Sequence, residues 1–314
     1  MNINTTLLKV IILLFLYILA MFLLPSGLFQ LLIVYSIWII GYDLLYGVMG
    51  WLSFGHALYF GIGGYVTALF IKFINPNPYL ALVAGVAAGL LAGVIFAPIF
   101  LRQRGAYFAL VNLAFNAVFY YLFLIPLKSI SGGFDGYMIF YSTTFLNHSN
   151  PISISIFGII IFTLTVMIYI IFTESFFGTL IRALNNNEIR LRFLGYNVFR
   201  YKTLVFTMST GISALAGAYL VLAQQYINIY FLDPNLSAEI LLANLIGGPG
   251  NLYGALLGAT IFSVVKLYLG WLPVPWEVTL GLTMLMVISL LKGRGIYNAL
   301  NDYYQSLRHH KDHA

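Results

Sequence analysis

The residues of this chain that could do chemistry are five histidines and nine acidic residues, and there is no cysteine. No two histidines share a helix at metal-ligand spacing except His309, His310 and His313, which have the pattern of a solvated terminus. No Ser, His and acid constellation is discernible, and the GxxxxGK[ST] phosphate loop does not occur. The sequence therefore predicts no enzyme, no metal site and no cofactor, so any energy that the protein uses must come from elsewhere.

A long polar run, residues 174–202, lies between two apolar segments and is suited to recognition. It has only Glu174 and Glu188 against five basic residues, which are Arg182, Arg190, Arg192, Arg200 and Lys202. Basic residues next to apolar segments favour the cytoplasmic side of a membrane. The run is therefore predicted to be a cytoplasmic loop, and its partner must be soluble.

Within this loop the residue types predict a short helix over about residues 188–194. Asn187 ends a run of three asparagines, which are good helix caps, and the Glu188 carboxylate complements the positive end of a helix dipole. Gly195 is suited to close the helix.

Such a helix would expose Ile189 and Phe193 to water, which has no internal use in a protein whose core lies in lipid. We interpret the helix as a docking surface for a soluble partner. An ordinary basic loop beside anionic headgroups is the alternative.

Composition places the rest of the chain in a lipid bilayer. Of its 314 residues 61% are hydrophobic and 8% are charged, whereas soluble domains carry about 25% charged residues. The apolar runs do not alternate with polar residues, so the spans are helices and the fold class is all-α and polytopic. The first apolar run has no small-residue cleavage site and is predicted to be a retained helix. The net charge of +6 comes mainly from inner loops, which indicates lipid contact and no nucleic acid.

Hydropathy and charge together predict about ten crossings, including short broken helices. Twelve of the fifteen Lys and Arg residues then lie inside, and Lys72, Lys128 and Lys266 lie outside. The eighth segment is far shorter than the roughly 20 residues that a crossing needs, so it must be tilted and broken or re-entrant. The predicted segments are 7–24, 28–46, 51–73, 79–101, 107–127, 152–172, 204–223, 238–246, 252–269 and 276–291.

Two glycine-rich stretches break the apolar pattern and echo each other. Residues 47–57 and 247–255 both begin with glycines three positions apart, followed two positions later by leucine, and both lie at predicted inner ends, which is compatible with a duplicated unit. The first stretch contains Ser53, Gly55 and His56, and either packs tightly against other helices or lines a water-filled path. His56 is interpreted as a hydrogen-bonded structural residue, with substrate contact as the alternative.

Two acids lie close to segment interiors, where an unpartnered charge is costly. Asp43 is predicted to lie near the inner interface. Glu239 follows Ser237 at the start of the short segment, where capping and the helix dipole would explain it, with a place on the path as the alternative.

Several stretches, in order from Gly41 to Leu291, resemble permeases of branched-chain amino acid ABC importers. The polar run is similar to the cytoplasmic coupling loop of that family, through Gly178, Arg182, Ala183, Asn187, Glu188, Leu194, Gly195, Asn197, Val198, Arg200, Tyr201 and Lys202. Four other stretches are similar to further signatures of that family: Ser53 to Tyr65, Arg102 to Phe115, the SGGFDG run at residues 131–136, and Ser237 to Gly258.

The resemblance implies a single transmembrane permease domain over residues 1–314, with the coupling loop at 174–202 and a cytoplasmic tail at 292–314. It assigns ATPase coupling to Arg182, Asn187, Glu188 and Gly195, and the tentative translocation path comprises Ser53, Gly55, His56 and Glu239. The implied partners are a second homologous permease, two ABC ATPase subunits that hydrolyse ATP, an extracytoplasmic substrate-binding protein and membrane lipid. The implied location is the bacterial inner membrane. A urea or short-amide importer is the near alternative, and a self-contained channel or a membrane anchor is the alternative from another class.

Overall fold

The computed structural model of the chain describes residues 3–141, 143, 146, 151–269, 278, 281–282, 285–286, 289 and 295–300. The predicted last crossing, over residues 276–291, and the predicted tail, over residues 292–314, lie mostly outside the described residues.

The fold is all-α, as predicted from composition. Two strands of two residues each, β1 and β2, pair antiparallel through Tyr137 with Ile227 and Met138 with Tyr226. The helices and strands are α1 (Ile3–Leu23), α2 (Ser26–Asp43), a π-helical turn (Leu44–Val48), α3 (His56–Phe73), α4 (Pro78–Phe100), α5 (Ala106–Leu124), α6 (Lys128–Ser131), β1 (Tyr137–Met138), α7 (Pro151–Glu174), α8 (Phe176–Asn186), α9 (Glu188–Phe193), α10 (Val198–Gln224), β2 (Tyr226–Ile227), a 3₁₀ turn (Ile229–Leu232), α11 (Pro234–Gly247) and α12 (Leu252–Leu269).

Among the described residues, five helical segments are long and apolar enough to cross a membrane: Ser26–Val48, Pro78–Phe100, Ala106–Leu124, Pro151–Glu174 and Val198–Gln224. The pair α11 and α12 also qualifies when taken together, but the two helices meet at an angle of 119°. This bend agrees with the broken or re-entrant segment expected there. The count of about ten crossings stays a prediction.

The helix α10 begins six residues earlier than the predicted start at residue 204. Asn197 caps it by accepting a hydrogen bond from the Arg200 N–H at 3.2 Å. The end of the predicted loop, including Lys202, therefore belongs to the first turn of α10.

The core is built around α3, α4 and α10, which pack closely through small residues. A Cβ atom added to Gly63 of α3 would collide with the backbone of Ala214 in α10, and one added to Gly217 would collide with the carbonyl oxygen of Phe60. Close approach of this kind is how helices associate within lipid. Within the first glycine-rich stretch, a Cβ atom on Gly55 would collide with the Asn112 backbone of α5, so the tight packing predicted there is confirmed at this position.

The outer faces of α4 and α5 carry apolar side chains that this chain leaves uncovered. On α4 these are Leu80, Val83, Leu91, Val94 and Ile95, and on α5 they include Leu110, Val118 and Tyr121. Exposed apolar area of this extent fits contact with lipid or with another membrane subunit.

The two ends of the bundle should react from opposite sides of the membrane. Phe140, which follows β1, is 76% exposed, and Arg190 in α9 is exposed at the other end of α10. In this cysteine-free chain we expect Phe140→Cys to be labelled by an impermeant thiol reagent added outside, and Arg190→Cys to be labelled only after the membrane is opened. Labelling of both variants from outside would contradict the topology.

Candidate functional site

The short helix α9 has the boundaries that its sequence predicts. The Asn187 side chain accepts a hydrogen bond from the Arg190 N–H at 3.0 Å and caps the helix, which runs from Glu188 to Phe193. Gly195 follows with φ +84°, a left-handed conformation that favours glycine. Two of the predicted coupling residues therefore fix the two ends of α9.

Glu188 has a larger role than completing the helix dipole. Its carboxylate accepts hydrogen bonds from Lys202 Nζ at 2.8 Å, from Arg104 Nη2 at 3.4 Å and from Arg192 one turn along α9. These cations come from α10, from the loop between α4 and α5, and from α9 itself. We call Glu188, Arg104, Arg192 and Lys202 the Glu188 cluster.

The Glu188 carboxyl is ionised at neutral pH. Partial burial alone would raise its pKa, but the hydrogen bond from Lys202 and the charges of Lys202, Arg104 and Arg192 outweigh this and hold the pKa below its usual range. The stabilisation that the cluster provides is therefore present above the ordinary glutamate pKa, and it is lost as the pH falls through the lowered value.

Lys202 connects the cluster to the membrane-embedded part of the chain. Its side chain is only 3% exposed, and Nζ lies 4.3 Å from the centre of the Trp51 ring. Trp51 belongs to the extended stretch between the π-helical turn and α3. The loop helix is thus fixed against the irregular backbone that precedes α3.

Apolar side chains are exposed on the outer surface of α9, beside the exposed Arg190 and Arg192. Ile189 is 62% exposed and Phe193 is 87% exposed, as expected for a docking surface. Leu194 adds a third exposed apolar side chain, at 66%. On the opposite face Leu191 is buried. Helix α9 therefore packs against the rest of the protein through one face and exposes the other.

Arg182 lies apart from the Glu188 cluster, on α8. It lines a cavity of about 140 Å³ together with Tyr169, Gly250, Asn251 and other residues of α7 and of the turn between α11 and α12. The structure therefore brings Asn187, Glu188 and Gly195 together and places Arg182 beside the broken span.

Asp43 is the centre of a buried network that the sequence does not reveal. Its carboxylate accepts hydrogen bonds from the Tyr169 hydroxyl at 2.6 Å, from Asn244 Nδ2 at 3.1 Å and from the Gly250 N–H at 2.8 Å. The prediction that Asp43 lies near an interface misses this, because the residue is fully buried and joins α2, α7 and the bend between α11 and α12.

The two glycine-rich stretches, whose similarity predicts only a duplicated unit, meet at this network. A Cβ atom on Gly47 would collide with the Asp43 carboxylate and with the Gly250 N–H. The two similar stretches therefore face each other in space. One turn further, a Cβ on Gly50 would collide with the Asn185 side chain of α8. The broken span, the π-helical turn and the loop helices thus form one continuous set of contacts.

His56, Ser53 and Gly55 lie together at the start of α3. His56 Nε2 is 2.8 Å from Ser209 Oγ, and this hydroxyl in turn donates to the Gly41 carbonyl at 2.6 Å, so the imidazole donates through Nε2. The Ser53 hydroxyl accepts from the Gly55 N–H at 3.3 Å. His56 and Ser53 are fully buried, and their place on a path stays a prediction.

Ser237, two residues before Glu239, contacts the start of α3. Its hydroxyl accepts a hydrogen bond from the Ala57 N–H at 2.8 Å. The interpretation of Glu239 as a capping residue is wrong, because Asp233 caps α11 by accepting from the Asn235 N–H at 2.9 Å. Instead, Glu239 binds Lys266 Nζ at 2.8 Å.

Tyr35 contacts both members of the Glu239–Lys266 pair. Its hydroxyl donates to Glu239 at 3.2 Å and accepts from Lys266 Nζ at 2.8 Å. The sequence predicts Lys266 only as an outer basic residue. Among the described residues no three His, Asp or Glu side chains converge as metal ligands.

Residues 24–291 match the family model described as the permease component of branched-chain amino acid transport systems. The chain belongs to this family. The matched range includes the Glu188 cluster, the Asp43 network and the Glu239 pair. With its several apolar helices, this member of the permease family is a multi-pass membrane protein.

Curated relatives agree with the family match. The chain is 25% identical over 262 residues to LivM, a high-affinity branched-chain amino acid transport system permease protein of Salmonella typhimurium, with 74% of this chain and 60% of the relative aligned. It is also 25% identical over 279 residues to LivH of the same organism, with 83% of this chain and 90% of the relative aligned. A third relative is a probable branched-chain amino acid transport permease protein LivM of Methanocaldococcus jannaschii. It is 25% identical over 230 residues, with 68% of this chain and 66% of the relative aligned.

The chain thus spans about three fifths of the length of the bacterial LivM proteins that it matches. No solved structure gave a significant match to this permease.

Proposed function

We propose that this chain is a permease subunit of a binding-protein-dependent ABC importer for branched-chain amino acids, located in the bacterial inner membrane. The observation that carries the proposal is a charged cluster that holds the short helix α9, with its exposed Ile189 and Phe193, outside the bundle, in a chain whose family is one of transport permeases. A self-contained channel or a membrane anchor would not need such a helix.

The proposed partners follow from the named relatives and from the loop. LivM and LivH are both named as permease proteins, and this chain matches both at 25% identity, which favours pairing with a second homologous permease. Two ABC ATPase subunits would bind α9 and hydrolyse ATP, since the chain carries no phosphate loop. A substrate-binding protein would deliver the amino acid at the other end, and lipid would surround the apolar faces of α4 and α5.

Within this importer the loop would carry ATPase movement into the membrane. Ile189 and Phe193 would insert into the ATPase, while the Glu188 cluster prevents α9 from moving independently of α10. The contacts of Trp51 with Lys202, and of Gly50 with Asn185, lead from the loop to the π-helical turn and onward to Asp43. Arg182, beside the same bend, would respond to that movement.

Assembly with the partners tests this proposal. Purified alone, the chain should hydrolyse no ATP, whereas co-expression with the second permease and the ATPase subunits should yield a stable complex. In liposomes, this complex with loaded binding protein should take up labelled leucine and leave labelled urea outside.

The matched control is a complex whose ATPase carries a substitution that prevents ATP hydrolysis. It should assemble normally and take up no leucine. Uptake of leucine by the isolated chain would support a channel instead, and uptake of urea would support the short-amide importer.

A further inference from the structure

A cavity of about 250 Å³ lies between α2, α10, α12 and the 3₁₀ turn. Its walls are mainly aliphatic and aromatic, and the described polar groups at its edge are few. Residues that define it are Leu31, Val34, Trp38, Phe60, Gln224 and Lys266. An apolar space with a few convergent polar groups is the usual form of a small-molecule site.

Of the charged pair, Lys266 lines this cavity and Glu239 does not. The Lys266 side chain is 27% exposed and lines the cavity, whereas the Glu239 side chain is 6% exposed and lies behind it. Glu239 and Tyr35 both bind Nζ at 2.8 Å and hold the ammonium group in place. The cavity therefore presents one fixed cation beside an aliphatic and aromatic wall.

The position of the cavity suits a molecule that arrives from the side opposite the ATPase. Gln224, at its edge, is the last residue of α10, and α9 precedes the first. The 27 residues of α10 span about 40 Å at a rise of about 1.5 Å per residue, so the cavity and α9 lie at opposite ends of the bundle.

We propose that this cavity is a transient binding site for a free amino acid with a branched aliphatic side chain. The ligand carboxylate binds the Lys266 ammonium group, and the aliphatic side chain packs against Leu31, Val34 and Trp38. The ligand ammonium group binds the carboxamide oxygen of Gln224 at the edge. This assignment rests on the proposed importer function and adds to it the residues that contact the substrate.

The volume of the cavity fits this class of ligand. Sites for drug-sized molecules are about 300–1,000 Å³, so the smaller cavity here suits a ligand of a few heavy atoms. The aromatic rings of Trp38 and Phe60 stack with centroids 4.0 Å apart, and they form one wall. An apolar wall of this kind discriminates poorly between closely similar aliphatic side chains, at about 1–3 kcal/mol for a methylene group. The cavity therefore selects the class of amino acid, and fine selection would have to occur before it.

The first test separates substrate contact from a structural role of the charged pair. Lys266→Met alone would leave the buried Glu239 carboxylate without its cation, which is destabilising in itself. We therefore combine Lys266→Met with Glu239→Gln and compare it with Lys266→Arg in the reconstituted importer. Leucine uptake per ATP hydrolysed should fall about tenfold or more in the double variant, as expected for a lost charged contact of 1.4 kcal/mol or more.

In the same experiment assembly and stimulation of the ATPase by loaded binding protein should stay at the parental level, and Lys266→Arg should keep most of the uptake. Lys72→Met is the matched control, because Lys72 lies 4.1 Å from the Tyr137 ring and does not line this cavity. Parental uptake in the double variant would overturn the proposal. Loss of assembly in the double variant and in Lys266→Arg alike would assign the pair a purely structural role and would also overturn it.

The second test does not depend on transport. The chain has no cysteine, so Leu31→Cys places a single thiol in the wall of the cavity. Millimolar leucine should slow its reaction with a thiol reagent at least about threefold, and isovalerate, which keeps the carboxylate, should protect partially. The amine 3-methylbutylamine, which lacks the carboxylate, should not protect, and Phe140→Cys should be insensitive to all three.

Equal protection by the amine, or no protection by leucine, would overturn the carboxylate site. If the complex takes up no leucine although leucine protects Leu31→Cys, the importer proposal fails and the binding site stands. If leucine is taken up without protection, the importer stands and the binding site fails.

Discussion

Leucine uptake by the reconstituted importer should fall about tenfold or more when Glu188 is replaced by alanine, while the permease still inserts and pairs with its homologue. The substitution removes the acceptor of three cations, one of which, Lys202, is only 3% exposed. Hydrogen bonds to charged groups contribute about 1.5–3 kcal/mol each, so the loss of the 2.8 Å bond alone is enough for a tenfold effect on the population of the fixed loop helix. Helix α9 would remain able to bind the ATPase but would no longer move together with α10.

The measurement is uptake of labelled leucine alongside ATP hydrolysis in the same liposomes. We expect hydrolysis to continue in the Glu188→Ala complex without matching uptake. Glu188→Gln should be intermediate, because it keeps a hydrogen-bond acceptor and loses the charge. Gly195→Pro should act like the alanine variant, since proline cannot adopt the φ of +84° found there.

Arg200→Ala is the matched control. Arg200 is an exposed charge close to the cluster in sequence, and its hydrogen bond to the Asn197 side chain uses only its backbone N–H, so uptake should stay near the parental rate. If Glu188→Ala and Gly195→Pro both bind the ATPase and transport at the parental rate, the loop is an ordinary basic connector and the coupling role is wrong.

Asp43→Ala should reduce the stability of the solubilised permease by about 3 kcal/mol or more, because it leaves the buried donors of Tyr169 and Asn244 and the partly buried Gly250 N–H without their acceptor, at about 1–3 kcal/mol each. The bend between α11 and α12 would lose its hydrogen bond at Gly250. Uptake should fall with it, since Arg182 and the loop helix α8 adjoin this bend.

Thermal unfolding followed by size-exclusion fluorescence measures the effect. Tyr169→Phe removes one of the three donors together with its hydroxyl, so its effect should be about 1 kcal/mol. Asp135→Ala, at an exposed acid, should unfold like the parent. A parental unfolding temperature for Asp43→Ala would mean that the network contributes nothing to stability.

Local features were predictable because their causes lie within a few residues. Asn187, Glu188 and Gly195 define the two ends of α9 through capping chemistry, and both ends are where the sequence places them. The partners of Glu188 were not predictable, because Arg104 lies 84 positions away. The sequence predicts only that Lys202 belongs to the cytoplasmic loop, and its contacts with Glu188 and the Trp51 ring explain how a lysine that is 3% exposed is accommodated there.

The acids inside the membrane were predictable as unusual but not in their roles. Asp43 binds partners 126, 201 and 207 positions away, which no local pattern can reveal. Glu239 was interpreted through the helix dipole because it lies near a helix start, whereas its partner Lys266 lies 27 positions further along. In both cases the cost of burying a charge indicates that a partner exists, and the fold decides which one it is.

Because α3 packs closely against α10, the contacts of α3 cannot be completed until α10 has been synthesised. Residues 74–197, which separate the two helices, take roughly 6–25 s to synthesise at about 5–20 residues per second. Throughout that time the surface of α3 around Gly63 lacks the Ala214 backbone that later fills it. Until then α3 is stabilised by elements made before α10, such as α4, through the hydrogen bond from Thr67 to the Ala81 carbonyl at 3.2 Å, and α2, through the stacking of Trp38 on Phe60. A ribosome that stalls before residue 198 therefore leaves an α3–α4 hairpin whose glycine surface is open to membrane quality-control proteases.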